Sequence, residues 1–157
     1  MKSQQKKYWL MKSEPDVFSI DNLKKDKTTW WEGVRNYQAR NFMIKDMNEN
    51  DGVLFYHSNA TPPGLAGLAV VSQKAKPDPS QFNKKSEYFD PKATPEKPNW
   101  FCVEVEYKKT FKNFITLENL KTDKNCADLL VIKKGQRLSI QPISEKDFLY
   151  LSKLGLE

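Results

Sequence analysis

Phe101-Cys102-Val103-Glu104-Val105-Glu106-Tyr107 is the stretch on which the fold class turns. Large apolar side chains recur at every second position, and two glutamates fall between them. A period of two puts alternate side chains on opposite faces of an extended chain, whereas a helix repeats every 3.6 residues. This is the clearest half-buried strand in the sequence. Outward from it lie shorter apolar runs of strand length: Tyr8 to Met11, Val53 to Tyr56, and Leu65 to Val71, where Gly67 suggests a bulge or a close backbone approach. Val131-Ile132 and Arg137 to Ile140 suggest final strands around Lys134-Gly135. Between these runs the pattern switches to helix. Ser19 can cap a helix that includes Ile20 and Leu23, and the same order of hydroxyl, aliphatic, acid, Asn and Leu returns at Thr116 to Leu120. Val34 to Met47 reads as an amphipathic helix. Ser144 caps a terminal helix with Phe148, Leu151 and Leu154 facing inward. Strands and short helices without βαβ alternation predict an α+β domain whose strands close on themselves as a small, partly open barrel.

The chain has 157 residues, a length that fits one domain and buries enough surface to fold without a metal or disulfide. The expected domain spans 8–155, with residues 1–7 as a frayed, flexible tail. Residues 76–99, rich in Pro and Lys, are expected to form a long surface loop. Lys and Arg outnumber Asp and Glu by 26 to 20, a net charge of +6 that mildly favours a polyanionic partner. Arg is confined to Arg35, Arg40 and Arg137, so defined planar contacts would fall to few residues. Cys102 and Cys126 form no C-x-x-C pattern, which suits a reducing compartment. No apolar run is long enough for a signal peptide or a membrane span. The expectation is a cytoplasmic protein, or a nuclear one in a nucleated cell, with no membrane partner and nothing that demands an oligomer.

Most catalytic signatures are missing. His57 is the one histidine, so a histidine-rich zinc site is excluded, and there is no P-loop, nucleophile elbow or dinucleotide-binding glycine pattern. No metal or cofactor is expected. Four clusters remain. Trp9 to Pro15 ends a strand with Lys12, Ser13 and Glu14 in succession, which could meet a ligand edge or simply terminate the strand. Trp30 to Phe42 joins two Trp and a Gly to a polar helix start carrying Arg35, Asn36, Tyr37 and Gln38. Such residues read base edges and phosphates, and aromatic faces stack bases for roughly 1–3 kcal/mol each. A helix start so rich in amides and guanidinium also sacrifices helix propensity, which favours function over solvation. Phe55 to Asn59 runs from an apolar strand into His57, Ser58 and Asn59, where His57 is as readily structural as functional. Arg137, Ser139 and Gln141 alternate onto one face of the last segment.

In this order the clusters resemble the EVE domain, a member of the PUA-like superfamily. The strings WLMKSEP (9–15), FSIDNL (18–23), WEGVRNYQARN (31–41), FYHSN (55–59), PGLAGLA (63–69) and QRLSIQP (136–142) carry the resemblance over nearly the whole chain. It implies a PUA-like mixed β pseudo-barrel flanked by short helices. It also implies a non-catalytic module that takes a modified base of DNA or RNA, such as 5-methylcytosine or 5-hydroxymethylcytosine, into a pocket beside a basic groove. The positions that carry over are Trp9, Lys12, Ser13, Trp31, Arg35, Asn36, Tyr37, Gln38, His57, Ser58, Asn59 and Ser139. Trp31 or Tyr37 would stack the base. Ser13, Asn36, His57 or Ser58 would meet its edge, and Lys12, Arg35 and Arg137 would attract phosphate. Two alternatives stand beside this. One is an amidohydrolase of the related ASCH type, with Lys12 and Glu14 as its working pair. The other is an RNA-binding accessory factor indifferent to modification.

Overall fold

The computed structural model describes residues 5–135 and 137–157. The tail expected at 1–7 therefore falls largely outside the described residues. Six strands form one mixed sheet: β1 (Tyr8–Ser13), β2 (Thr28–Trp30), β3 (Gly52–His57), β4 (Gly64–Pro77), β5 (Phe101–Thr116) and β6 (Ile140–Ile143), in the spatial order β2-β5-β4-β3-β1-β6. The β1–β3 pair is parallel and the other pairs are antiparallel. The expected α+β class is what forms, but the edge strands β2 and β6 do not pair with each other, so the barrel stays open.

Both faces of the sheet are covered, and this explains why Tyr8 to Met11 and Val53 to Tyr56 are apolar without alternation. Trp9, Met11, Val53, Phe55, Val103 and Val105 point into one core, beneath α1 (Ile20–Asp26) and α2 (Tyr37–Asn41). Leu10, Leu54, Tyr56, Phe111 and Ile115 point into the other, beneath α3 (Leu117–Thr122) and α4 (Glu145–Leu156). A strand buried on both sides has no polar face to alternate with.

The caps form where the hydroxyls predict them. Ser19 accepts from the Asn22 N–H while the Asn22 side chain takes the Ser19 N–H, a reciprocal capping box. The Thr116 hydroxyl caps α3 by accepting from the Asn119 N–H, and the Ser144 hydroxyl caps α4 by accepting from the Asp147 N–H. Three expectations are corrected. The helix read over Val34–Met47 begins only at Tyr37, because Asn36 caps it, and it ends as a π-helical turn over Phe42–Asp46. Val131-Ile132 belongs to a 3-10 turn, leaving only Ile140–Ile143 as strand, and Gln141 is buried, donating to the Leu138 carbonyl. On α4, Leu154 is 41% exposed, and it is Gly155 that packs against the Phe111 ring.

The segment 78–100 is not a plain surface loop. Asp78 and Gln81 are fully buried within it. The Gln81 amide donates to the Asp78 and Trp100 carbonyls and accepts from the Asn99 and Trp100 N–H groups, at 2.8–2.9 Å. Asp90 accepts from the Trp100 indole at 2.8 Å. These bonds fold the segment back onto itself, and the Gly33 N–H and the Arg35 guanidinium tie it to the stretch that follows β2.

Candidate functional site

A cleft of about 440 Å³ opens at one end of the sheet, within the size range of small-ligand pockets. Lys12, Ser13 and Glu14 reach it from the end of β1, because β1 and β3 run out together at Ser13 and His57. Pro15 then turns the chain, with the Val17 and Phe18 N–H groups both donating to the Glu14 carbonyl, so Val17 and Phe18 form a second side. Thr29 and Trp30 of β2 and the following Trp31 to Arg35 form the opposite wall. Tyr88, from the 78–100 segment, and Ser139 complete it.

The Trp31 wall is held rigidly. The Trp31 N–H donates to the Val103 carbonyl at 2.8 Å, and its ring meets Phe55 edge-on at 5.6 Å. Gly33 takes a left-handed φ of 86°, and its N–H donates to Asp78 Oδ2 at 2.8 Å. A side chain at Gly33 would come within 2.7 Å of the Tyr88 ring, so glycine serves both the turn and the close approach. Trp30, beside it, carries Lys76 Nζ 4.0 Å from its ring, a cation–π contact that leaves an aromatic at the cleft rim.

Three ionisable groups of the cleft are displaced from their ordinary values. Burial lowers the Lys12 ammonium, whose Nζ lies 5.9 Å from the Tyr56 ring. Burial and the neighbouring Asp78 charge raise the Glu32 carboxyl, against the opposing pull of Lys76 and Arg35. Burial also raises the Tyr88 phenol. The cleft thus combines aromatic walls with a cation at one side and a carboxylate at the other.

Of the residues expected from sequence, Lys12, Ser13, Trp31, Arg35 and Ser139 line this cleft. Arg35 does so without a donor to spare. Its Nε and Nη2 bond the Tyr88 carbonyl, Nη1 bonds the Val34 carbonyl and Asp78, and Nη2 also bonds Ser80. These use the five N–H groups of a guanidinium, so Arg35 ties the 78–100 segment to the Trp31 wall instead of facing phosphate. Trp9 lies in the core, its indole donating to Asp51 at 3.0 Å. Asn36 is the cap of α2, accepting from the Ala39 N–H. Tyr37 is 57% exposed outside the cleft, its ring stacked on Trp100 at 4.9 Å and 4.8 Å from the Arg40 guanidinium. Gln38 is exposed on the same helix.

His57 stands behind the cleft. Its Nε2 accepts from the Ile20 N–H at 3.1 Å, anchoring the start of α1, and burial lowers its pKa. The Ser58 N–H donates to the Ser13 carbonyl, and Asn59, at a left-handed φ of 49°, donates to Glu14. These two support residues of the cleft from outside it. Arg137 is exposed next to position 136, which lies outside the described residues.

The family profile of the EVE domain matches residues 7–154. The chain belongs to the EVE domain family. It is 40% identical to human thymocyte nuclear protein 1 over 159 residues, spanning 90% of this chain and 70% of that protein. The solved structure of a hypothetical protein from Leishmania major superposes with a TM-score of 0.91 at 45% identity, over 96% of this chain and 95% of that one. Human THYN1, solved in complex with DNA containing 5-methylcytosine, superposes with a TM-score of 0.87 at 39% identity, over 96% of this chain and 98% of that one. The open sheet of this EVE domain is accordingly PUA-like. An ASCH protein from Zymomonas mobilis shares the fold alone, at 9% identity and a TM-score of 0.54. Among the described residues no helix is long and apolar enough to cross a membrane, and no group of three or more His, Cys, Asp or Glu could hold a metal ion.

Sequence reasoning about the EVE domain missed Thr29, Trp30, Glu32 and Tyr88 as parts of the cleft. Trp30 and Glu32 flank Trp31 and were within reach of the motif. Tyr88 was not, because it arrives through Arg35 and Asp78 from a segment without periodicity.

Proposed function

We propose that this EVE domain binds nucleic acid without catalysing a reaction on it, and that its cleft receives one modified cytosine turned out of the strand. The observation that carries the reading is the cleft itself, with Trp30 and Trp31 on one wall, Phe18 and Val17 on another, and Lys12, Ser139 and Glu32 around the rim. A base and its modification can be enclosed on all sides only after leaving the stack, at a cost of a few kcal/mol. Stacking on an aromatic returns roughly 1–3 kcal/mol, and satisfied edge hydrogen bonds supply the rest. That the human relative has been solved with DNA containing 5-methylcytosine supports this ligand class. The net charge of +6 supplies general attraction to the backbone. In a nucleated cell this reading implies work in the nucleus.

The test is a titration of matched DNA and RNA oligonucleotides carrying cytosine or 5-methylcytosine at one position, at two salt concentrations. The preference for the modified base should survive high salt, while overall affinity falls. Since a fitted methyl contributes about 1–3 kcal/mol, preferences of about tenfold to a hundredfold are expected. Trp31→Ala should abolish the preference. Equal affinity for both oligonucleotides at both salt concentrations would sink the proposal.

One observation favours a second reading, a hydrolase of the ASCH type: Lys12 and Glu14 line the same cleft. Incubation with acylated or alkylated nucleosides, followed by mass analysis, separates the two. Product that disappears in Glu14→Gln would establish the enzyme.

A further inference from the structure

We propose that Glu32 accepts a hydrogen bond from the exocyclic amino group of the bound base, so that the cleft selects cytosine-type rings over thymine- or uracil-type rings. This rests on the base-binding reading above and adds to it the residue that distinguishes the two pyrimidines.

The argument begins with the rings. Cytosine presents an amino donor at C4, where thymine and uracil present a carbonyl acceptor, and carboxylates are the side chains that accept from that amino group. Two carboxylates line the cleft, Glu14 and Glu32. Glu14 is engaged by the Asn59 amide at 3.2 Å. Among the described residues the Glu32 carboxylate has no hydrogen-bond or ion-pair partner of its own, and nearby Arg35 has turned its N–H groups to Tyr88, Val34, Asp78 and Ser80.

The backbone that carries Glu32 is fixed on both sides. The Trp31 N–H is bound to Val103, the Glu32 N–H to the Trp30 carbonyl at 2.9 Å, and the Gly33 N–H to Asp78. The fixed backbone sets where the Glu32 side chain leaves for the cleft, and a carboxylate that meets a carbonyl oxygen there finds repulsion where an amino group would donate a hydrogen bond. Partial desolvation by the cleft walls and the Asp78 charge disfavour the Glu32 carboxylate, and an amino donor would offset that cost whereas a carbonyl would add to it. The modification falls in the same place. C5 adjoins C4, so a methyl on C5 lies beside the amino group, and the residues flanking Glu32 in the cleft are Trp30, Trp31 and Val34. Lys12 and Ser139, across the cleft, bring donors suited to the ring carbonyl at C2, which both pyrimidines share.

The experiment compares wild type, Glu32→Gln and Lys12→Met on oligonucleotides that differ only in 5-methylcytosine or thymine at the target position. Thymine carries the same methyl, so the ratio reports the C4 substituent together with the N3 position, and the Glu32 variant assigns the share that belongs to C4. Wild type should favour 5-methylcytosine by at least about tenfold. Glu32→Gln, whose amide can turn either way, should bring the ratio to within about threefold of one, chiefly by admitting thymine. Lys12→Met should weaken both complexes and leave the ratio as it was. Because the Glu32 side chain is exposed and has no hydrogen-bond or ion-pair partner among the described residues, its variant should match wild type in thermal unfolding. If wild type binds 5-methylcytosine tightly and Glu32→Gln keeps the ratio, the role of Glu32 is overturned while the base-binding reading stands. If wild type binds neither oligonucleotide, the base-binding reading fails and the role of Glu32 fails with it.

Discussion

The guanidinium of Arg35 lies 5.4 Å from the Tyr88 ring and 5.3 Å from the Trp100 ring, while its N–H groups hold two carbonyls, a hydroxyl and the buried Asp78. Tyr37 stacks on Trp100 and Arg40 lies against Tyr37, so rings and cations continue from the cleft wall to the surface. Removing Arg35 would leave Asp78, fully buried, without its cation. Arg35→Ala should therefore cost ~3–5 kcal/mol in denaturant unfolding and expose the 78–100 segment to proteases. Arg35→Lys should recover only part of this, since an ammonium lacks the planar fork. His57 yields a pH prediction. Its folded pKa lies below the ordinary 6.5, chiefly through burial, with Asp21 pulling the other way. As pH falls, the unfolded chain takes the proton first, so stability is full above 6.5 and is lost as pH falls through the lowered folded value. Melting temperature should decline from about pH 7 to about pH 5. His57→Gln, which keeps an acceptor for the Ile20 N–H, should flatten that part of the curve.

Among the elements, the capped helices and the strands nearest the chain's apolar runs follow local pattern closely. Ser19, Thr116 and Ser144 each accept from an N–H three residues on, and such bonds need no distant partner. Local pattern misleads where long-range contact decides. The run Val131-Ile132 has strand propensity, yet it turns as a 3-10 element because its side chains complete the core beneath α3 and α4. The long pair β4–β5 depends on close backbone approach: a Cβ at Gly64 would collide with the Ile115 carbonyl and lie 2.8 Å from Phe114. Gly64→Ala should cost about 1–3 kcal/mol in chemical denaturation, because the obstacle is backbone of the partner strand and cannot rotate away.

Across the molecule, one sheet divides two cores; Cys126 lies in the core beneath α3 and α4, and Cys102 is buried within β5. Cys102 and Cys126 are buried, and burial pushes both thiols up to about 12. Almost no thiolate exists at neutral pH, so an aromatic disulfide reagent should label neither cysteine in the folded protein and both after unfolding. A fast native reaction at either would contradict the packing described.

How much was legible in the chain follows from range. The alternation at Phe101–Tyr107, the doubly apolar runs, the helix-capping hydroxyls and the motif around Trp31 all act over a few residues, and these were enough for the α+β class, the family and five members of the cleft. The site's remaining architecture rests on bonds between residues far apart in sequence: Gly33 to Asp78, Arg35 to Tyr88, Ile20 to His57. No periodicity announces such pairs, because a hydrogen bond between distant segments is set by where packing delivers them. That is why a Pro- and Lys-rich segment gives Tyr88 to the cleft, why Arg35 serves as a brace, and why His57 and Asn36 hold helix starts instead of lining the hollow.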